Sequence, residues 1–432
     1  MGVETGGGRK PRQITLMTYG SRGDVAPFAA LGLALQQRGH SVRLAAPHGF
    51  APLAEQYGLE FVPLPGNPEE LSREFADQAG GSWLRMVKGM TAHVLPLARG
   101  VFDQLQQAAQ GADLIVHSFL MTDAGHTLAR RQGIPDVSAQ LFPVFLPTRA
   151  FPNVAMPDWP LGGGYRWATH ALNTAVFRYG ARLMYGQIRR LAPELPALAD
   201  WPFAGRGQGQ TPVLLAYSPA LLPPPADWPP YAHVTGYWPL PAAPGWQPRP
   251  EWVRFLEAGA PPVYFGLGSV RSQHLPRLLE AAVNAARACG LRLVLGAPQA
   301  AGWGGEDVCV VAEAPHEWLF PRMGLVVHHG GAGTTGAAAA AGVPQTAVPF
   351  SVDQTFWARR TRQLGLGPAA PAARNLDSAR LEEIFRQGVE DAQYARRAAE
   401  LGQRMRAEDG LSAAVSRIEA CLDLTSSIGR NL

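Results

Sequence analysis

The chain contains 432 residues, of which 47% are hydrophobic and 17% are charged. This composition excludes a disordered chain, and the length is sufficient for two or three domains with substantial cores. The 38 Lys and Arg residues against 34 Asp and Glu give a net charge of +4, without the basic blocks of a nucleic-acid binder.

The N-terminus and the cysteines indicate the compartment. Residues 1–12 are basic and rich in Gly but lack the apolar core of a signal peptide, so we expect a flexible tail. No run of eighteen apolar residues occurs to span a bilayer. Cys289, Cys309 and Cys421 are widely spaced and odd in number, as expected of free thiols. We therefore expect a cytoplasmic protein.

The chain opens with the pattern of a parallel βαβ unit. Ile14 to Tyr19 predicts a strand, the loop Gly20 to Asp24 follows, and Pro27 suits the first turn of the next helix. The loop contains Arg22-Gly23-Asp24, a tripeptide that serves elsewhere as an adhesion signal. Because the loop lies at the carboxyl end of a first parallel strand, we interpret it as part of an active site.

The first half continues with alternating strands and helices. Strands are predicted at Asp113 to His117 and from Ile134, with a helix over Asp123 to Arg131 between them. The stretch from Arg166 to Leu191 is basic and apolar, which is typical of a helix packed on one face. Contact with a membrane surface or a lipid acceptor is the alternative for this helix.

A proline-rich segment separates two halves of similar pattern. Between Gly205 and Pro250 the composition shifts to Pro, Gly and Trp, which predicts a linker and a domain boundary near residue 240. The second half predicts strands at Pro262 to Gly268, Leu291 to Gly296, Val308 to Ala312, Leu325 to His328 and Val343 to Pro349. Two doubly wound sheets imply a cleft between the carboxyl ends of their strands.

The segment HHGGAGTT, His328 to Thr335, has the composition of an anion-binding loop and leads into a predicted alanine-rich helix, Gly336 to Ala341. Glycines let a ligand approach the backbone, and helix amides and threonine hydroxyls can donate to negative charge. His329 can add a further donor. The loop is neither a Walker loop nor a dinucleotide fingerprint, and no Asp-x-Asp metal clamp occurs in the chain. We expect a diphosphate held without metal; a plain tight turn is the alternative.

Asp353-Gln354 opens the helix that follows the next strand. A carboxylate beside an amide suits the hydroxyls of a sugar, whereas an Asp at this place could equally cap the helix.

Two stretches resemble the GT-B glycosyltransferases of family 1: GSRGDVAPFAALGLAL and PHEWLFPRMGLVVHHGGAGTTGAAAAAGVPQTAVPFSVDQTFWA. The sterol glucosyltransferases of bacteria and fungi look closest, with the antibiotic glycosyltransferases nearby. The resemblance implies an α/β fold of two doubly wound Rossmann-like domains facing across a cleft. Residues 13–240 would bind the acceptor and residues 241–432 the nucleotide sugar, with the last helix able to pack back on the first domain.

The resemblance also implies transfer of a hexose, with UDP-glucose as the expected donor, to a hydroxyl with inversion. Asp24 would be the catalytic base, because it stands where plant relatives carry the His of a His-x-x-Pro element. The other residues implied are Ser21, Gly23 and His117 at the active-site loop; Ser269, Ala314, Pro315, Trp318, His329, Gly331, Gly333, Thr334 and Thr335 for the nucleotide diphosphate; and Asp353 with Gln354 for the donor sugar.

The residues suit this chemistry independently of the resemblance. Displacement at an acetal carbon passes through an oxocarbenium-like transition state, which needs a base on one side and anion stabilisation at the leaving group. An ordinary Asp has a pKa near 3.9 and is a weak base, so we expect burial to raise the pKa of Asp24 or proton transfer to be late.

The donor and acceptor stay open within this interpretation. Glu313 and Ala337 replace the uracil-stacking Trp and the ribose-binding acid of plant relatives, which leaves UDP or dTDP open. We expect no cofactor, metal or nucleic acid, and a sterol, terpenoid or lipid acceptor. Aromatic residues of the first half are consistent with such an acceptor, with plain core as the alternative; they are Trp83, Phe142, Phe145, Phe151, Trp159 and Trp167. The alternatives are an antibiotic-like aglycone or glycolipid, a nucleotide-sugar-binding protein without turnover, and an NAD-linked enzyme, which lacks its fingerprint. A monomer or a homodimer fits the sequence, with or without peripheral membrane contact.

Overall fold

A computed structural model describes residues 10–67, 83–203, 211–268, 275–300, 302–350 and 352–428. Ser269, one of the predicted diphosphate-binding residues, lies outside the described residues. Within the described residues, no disulfide joins Cys289, Cys309 or Cys421.

The first half forms one parallel sheet. Seven strands of the described chain pair in the order β3-β2-β1-β4-β5-β6-β7. The strands are β1 Gln13–Met17, β2 Ser41–Pro47, β3 Glu60–Leu64, β4 Leu114–His117, β5 Asp136–Gln140, β6 Val213–Leu215 and β7 Ala232–Val234. The helices are α1 Arg22–Gln37, α2 Ala51–Gln56, α3 Trp83–Ala109, α4 Thr122–Gln132 and α5 Gly162–Leu191. β1 pairs with β2 on one side and β4 on the other, so the residues after β1 lie at the switch point of the sheet.

The second half forms a parallel sheet of its own. Five strands of the described residues pair in the order β10-β9-β8-β11-β12. The strands are β8 Val263–Gly266, β9 Leu293–Leu295, β10 Val308–Val310, β11 Leu325–His328 and β12 Gln345–Ala347. The helices are α6 Pro250–Glu257, α7 Leu275–Ala288, α8 His316–Leu319, α9 Ala332–Ala341, α10 Val352–Gln363, α11 Ser378–Glu390, α12 Ala392–Arg406 and α13 Gly410–Ile428. The predicted pair of doubly wound sheets is confirmed, and the switch point here follows β8 and β11.

Two helices begin earlier than the sequence predicted, and both changes concern candidate site residues. α1 begins at Arg22 and not near Pro27, because Ser21 caps it and the Asp24 carboxylate accepts the Ser21 N–H at 2.8 Å. α9 begins at Ala332 and not at Gly336, with the extended Gly331 as its N-cap. Asp24 and the two threonines of the loop therefore lie in first turns of helices.

The segment predicted as a linker contains two strands, β6 and β7. β7 pairs in parallel with β6, so the first sheet extends into this proline-rich region. Its three residues are too few for the alternating pattern that predicts a strand.

The last helix connects the two halves. Residues of α13 share one apolar core with β1 and α1; these are Ala414, Val415, Ile418 and Leu422. Glu419 of α13 is 3% exposed and accepts a hydrogen bond from the Arg38 guanidinium at 3.0 Å. The end of the chain thus packs on the first half, and its buried carboxylate is paired.

Candidate active site

Asp24 stands in the first turn of α1, directly beyond the central strand of the first sheet. Its Oδ2 accepts hydrogen bonds from the backbone N–H of Ser21 at 2.8 Å and from the Ser21 hydroxyl at 3.1 Å. Among the described residues, none hydrogen-bonds to Oδ1. Burial raises the pKa of Asp24 to about 6, since its effect exceeds the lowering by the Ser21 hydrogen bonds. The carboxylate is therefore ionised at neutral pH, yet more basic than an ordinary Asp.

Gly20 makes this position of Asp24 possible. Its φ is +145°, and a Cβ at this residue would lie 2.3 Å from Asp24 Oδ2. Any side chain here would displace the carboxylate, so the backbone needs glycine for conformation and for space. The sequence did not single out Gly20, although a glycine between a strand and a helix cap is the available signal.

The two halves bring their carboxylates into electrostatic contact. Asp353, in the first turn of α10, adds to the upward shift of the Asp24 pKa. Arg22 of the first half pairs with Glu313 of the second at 2.6 Å. Because both of those side chains are more than half exposed, the pair contributes little to stability. Residues predicted on separate domains thus meet at one cleft.

His328 is the structural member of the histidine pair. Its Nε2 lies 2.9 Å from Gln345 Oε1, and its Nδ1 accepts the Gly330 N–H at 3.0 Å. Burial lowers its pKa to about 3, so the ring is neutral. Both ring nitrogens are thus occupied within the fold.

His329 differs from its neighbour. Its ring lies between two glycines: a Cβ on Gly268 would be 2.7 Å from Cε1, and a Cβ on Gly331 would be 2.4 Å from Nε2. Burial lowers the pKa of His329 to about 4, so the ring is neutral at pH 7. Its Nδ1 is buried and has no hydrogen-bond partner within the described part of the chain. A buried ring nitrogen of this kind is a candidate contact for a ligand.

The first turn of α9 has further features of an anion site. The Thr335 hydroxyl is buried and finds no partner among the described residues. A Cβ on Gly333 would meet no atom within 4 Å, so the space beside this glycine is open. Gly330 has a φ of +89°, and its Cβ would lie 3.0 Å from the Gln354 carbonyl oxygen. The loop therefore packs against the turn that carries Asp353 and Gln354. The Gln354 Oε1 accepts the Phe350 N–H at 2.8 Å.

Three of the residues predicted for the nucleotide diphosphate, Ala314, Pro315 and Trp318, lie at the short helix α8. Pro315 is its N-cap, and Ala314 before it is half-buried. The Trp318 ring makes an edge contact with Trp246 at 5.4 Å between centroids, and the Arg322 guanidinium lies 4.8 Å from the Trp318 centroid. The sequence did not predict Trp246, which comes from the proline-rich segment.

His117, which the sequence predicted at the active-site loop, is buried and paired within the first half. Its side chain is 0% exposed, and its Nε2 lies 3.0 Å from Asp136 of β5, which His126 also contacts at 2.9 Å. Burial acts to raise the pKa of Asp136, but the hydrogen bonds from both histidines outweigh it and keep this pKa low. His117 is thus held by Asp136 through Nε2, whereas its buried Nδ1 has no partner among the described residues, and its role at the active-site loop stays a prediction.

Aromatic side chains gather at the same edge of the first sheet as Asp24. Phe119 and Phe142 follow β4 and β5 by two residues each, and their ring centroids are 5.2 Å apart. Phe145 continues this group, with Trp201 at 5.0 Å and Phe203 at 5.8 Å. The aromatic cluster, Phe119, Phe142, Phe145, Trp201 and Phe203, forms an apolar wall. The sequence predicted Phe142 and Phe145 for such a surface but missed Trp201 and Phe203, which lie far away along the chain.

Family models match both halves of the chain. Residues 14–106 match the glycosyltransferase family 28 N-terminal domain, and residues 304–420 match the erythromycin biosynthesis protein CIII-like C-terminal domain. O-mycaminosyltylonolide 6-deoxyallosyltransferase of Streptomyces fradiae is 36% identical over 94% of this chain and 97% of the relative. A sterol 3-beta-glucosyltransferase of Yarrowia lipolytica is 32% identical over 96% of this chain. The chain spans only 29% of the length of that sterol enzyme.

Solved structures share the fold. The glycotransferase of kitacinnamycin superposes with a TM-score of 0.69 at 21% identity, covering 96% of this chain and 100% of that one. The Streptomyces glycosyltransferase SsfS6 complexed with thymidine diphosphate superposes with a TM-score of 0.63 at 20% identity, covering 95% and 99% of the two chains. Two Rossmann-like domains of the GT-B type are therefore confirmed.

Proposed function

We propose that this chain, which belongs to the GT-B glycosyltransferases of family 1, transfers a hexose from a nucleotide diphosphate sugar to a hydrophobic alcohol with inversion. UDP-glucose is the proposed donor, and Asp24 is the proposed general base. The observation that carries the proposal is the Asp24 carboxylate, whose pKa is raised to about 6 and which faces the donor half across the cleft.

The proposed reaction is a direct displacement at the anomeric carbon. Asp24 Oδ1 accepts the proton of the acceptor hydroxyl while the hydroxyl oxygen forms a bond to the anomeric carbon. The bond to the phosphate oxygen breaks, and the nucleoside diphosphate leaves with the electron pair. The base is needed on the face of the sugar opposite the leaving group, which is why the two functions sit on different domains.

The second half supplies the proposed donor site. The first turn of α9, with Gly331, Gly333, Thr334 and Thr335, would face the diphosphate, and helix amides would stabilise its charge without metal. His329 would donate its ring N–H to the same group. Asp353 and Gln354 would bind the sugar hydroxyls from the neighbouring turn.

Thr335→Val should weaken ligand binding without lowering the stability of the fold. The buried hydroxyl finds no partner in the ranges that the structure describes, so an apolar group of the same shape should leave the free energy of unfolding unchanged or higher. Loss of a hydrogen bond to a charged diphosphate should weaken UDP binding about 10- to 100-fold. Calorimetric titration and urea unfolding check the two effects.

Thr361 provides the matched control. It is 2% exposed, and its hydroxyl donates to the Ala358 carbonyl at 3.0 Å. Thr361→Val should therefore lower stability by about 1 kcal/mol and leave UDP binding unchanged. Unchanged UDP binding by Thr335→Val would contradict the role given to Thr335.

The pH dependence of kcat/KM reports the protonation state of the proposed base, Asp24. Because Asp24 must be ionised to accept a proton, kcat/KM should rise with pH through about 6 and then level off. Ser21→Ala removes one of the hydrogen bonds that lower this pKa, so the acid limb should move to higher pH. Ser218→Ala is the control, because the Ser218 hydroxyl donates to the Glu408 carboxylate at 2.8 Å. It should leave the acid limb of the pH profile unchanged. A limb near pH 4 in the wild-type enzyme would contradict the proposed base.

A second candidate acceptor follows from the full-length relative. The Streptomyces fradiae enzyme, whose name describes a sugar transfer to O-mycaminosyltylonolide, matches this chain over 97% of its own length. An antibiotic-like aglycone and a dTDP-linked donor are therefore the alternative to a sterol and UDP-glucose.

Nucleotide release with paired donors and acceptors tests the proposal. The purified protein is incubated with UDP-glucose or dTDP-glucose, a panel of sterols, terpenoid alcohols and macrolide aglycones, and EDTA. We expect acceptor-dependent release of UDP in the presence of EDTA, and a product of inverted anomeric configuration by NMR. Release that requires a macrolide and dTDP-glucose would establish the alternative. A retained configuration, or a rate abolished by EDTA and restored by a divalent metal, would contradict the mechanism.

A further inference from the structure

An apolar stripe runs along the outer face of α5. Leu172, Val176, Tyr179 and Leu183 are 55%, 43%, 69% and 72% exposed. Their spacing of four, three and four residues puts them on one side of the helix. Leu161, the N-cap residue, is 63% exposed and extends the stripe, which is about 33 Å long at 1.5 Å per residue.

The same helix carries the positive charge of the chain. α5 contains Arg166, Arg178, Arg182, Arg189 and Arg190 and no acidic residue. The whole chain has 38 Lys and Arg against 34 Asp and Glu, so the rest of it has 33 against 34 and is nearly neutral. Arg182 and Arg190 are exposed and form no ion pair within the described residues. Positive charge is thus concentrated beside the apolar stripe.

The opposite face of α5 is fixed on the protein. Ile188 and His170 are buried, and the Phe177 ring meets Phe145 of the aromatic cluster at 5.3 Å. Asp158, just before the helix, contacts Arg166 at 3.3 Å and Arg359 of α10 at 3.9 Å. The helix therefore cannot turn its stripe inward without losing these contacts.

We propose that the outer face of α5, named here the α5 face and made of Leu161, Leu172, Val176, Tyr179, Leu183, Arg182 and Arg190, docks on the surface of an anionic lipid bilayer. Apolar side chains would enter the headgroup boundary while arginines contact lipid phosphates. No helix of the described chain is both long and apolar enough to cross a membrane. The inference goes beyond the proposed transfer reaction and does not depend on the acceptor.

Charge favours lipid over a second copy of the chain as the occupant. Two α5 helices packed on each other would bring arginine near arginine, and neither helix has an acidic residue to compensate. An anionic bilayer supplies the opposite charge over the whole length of the stripe.

Vesicle sedimentation tests the proposal without turnover. The full chain is mixed with vesicles of phosphatidylcholine, with and without phosphatidylglycerol, at low and high salt. We expect binding to the anionic vesicles that weakens as salt rises. Leu172→Asp with Leu183→Asp should reduce the bound fraction about tenfold or more, and Arg182→Glu with Arg190→Glu should act similarly.

Matched controls come from other surfaces. Leu424→Asp changes another exposed leucine, 66% exposed on α13, and Arg254→Glu with Arg362→Glu reverses two exposed arginines of the second half. Both controls should bind vesicles as the wild type does. The arginine pair serves as an independent test if the aspartate variant fails to fold.

Two results would overturn the inference. One is vesicle binding that is absent in the wild type, or that survives both sets of α5 changes. The other is a wild-type dimer in light scattering that the α5 changes dissociate, together with no vesicle binding, which would identify a protein interface instead.

Discussion

Asp24→Asn is expected to lower kcat by about 10²- to 10⁴-fold, the range for losing a general base. Asn keeps the shape of the side chain and can still accept the hydrogen bonds of Ser21, but it cannot take the acceptor proton. The KM for the donor should change little, because the carboxylate acts on the acceptor. Initial rates at saturating donor and acceptor measure this effect.

The stability of the same variant should rise. Burial raises the pKa of Asp24 in the folded state, so the ionised carboxylate destabilises the fold at neutral pH relative to the unfolded chain. Removing this charge should increase the free energy of unfolding by about 1 to 3 kcal/mol at pH 7.5. The gain should disappear as pH falls from about 6 to below 4, where Asp24 is protonated in both states. Urea unfolding at several pH values measures it.

Asp123 offers the matched control in the same half. Burial raises its pKa as well, and it lies in the first turn of α4. Asp123→Asn should therefore also stabilise the fold, but it should keep kcat within a few-fold of the wild type. Equal rates for Asp24→Asn and the wild type would falsify the assignment of the base, and a loss of both rate and stability would indicate damage to the fold.

His329→Ala is expected to have the second-largest effect, a fall in kcat of about 10²- to 10³-fold, the range for one lost donor at a developing anion. The ring is neutral and buried between Gly268 and Gly331, and its Nδ1 lacks a partner in the described part of the structure. UDP binding by calorimetry and kcat should both decline. The free energy of unfolding should change less than these functional quantities.

His328→Ala separates the two histidines. It removes the acceptor of the Gly330 N–H and the partner of Gln345, both buried, so it should destabilise the fold by about 2 kcal/mol or more. If His329→Ala destabilised the protein as much as His328→Ala and the folded fraction kept its kcat, His329 would be structural.

The sequence predicted the places where chemistry-bearing residues gather. Strand and helix periodicity located the switch points after β1 and β11, and glycines marked the loops that leave them. The order of strands and the face-to-face domains agree with the resemblance in the two quoted stretches.

Other features depend on contacts between distant residues. The raised pKa of Asp24 depends on its burial. The contribution of Asp353 to this pKa depends on the approach of the two domains to each other. The contact of His117 with Asp136 joins two strands across nineteen residues of sequence, which a local pattern does not reveal. The helix starts at Arg22 and Ala332 follow from capping geometry, which a proline or alanine pattern does not reveal.

The central claim is that Asp24 and the diphosphate loop act on opposite sides of one sugar. A crystal structure with a non-transferable UDP-glucose analogue and a bound alcohol tests it most directly. We expect the diphosphate at the first turn of α9, within hydrogen-bond distance of His329 or Thr335, and the alcohol oxygen within about 2.6–3.2 Å of an Asp24 carboxylate oxygen. A diphosphate bound elsewhere, or an alcohol oxygen held by another base with Asp24 turned away, would contradict the account.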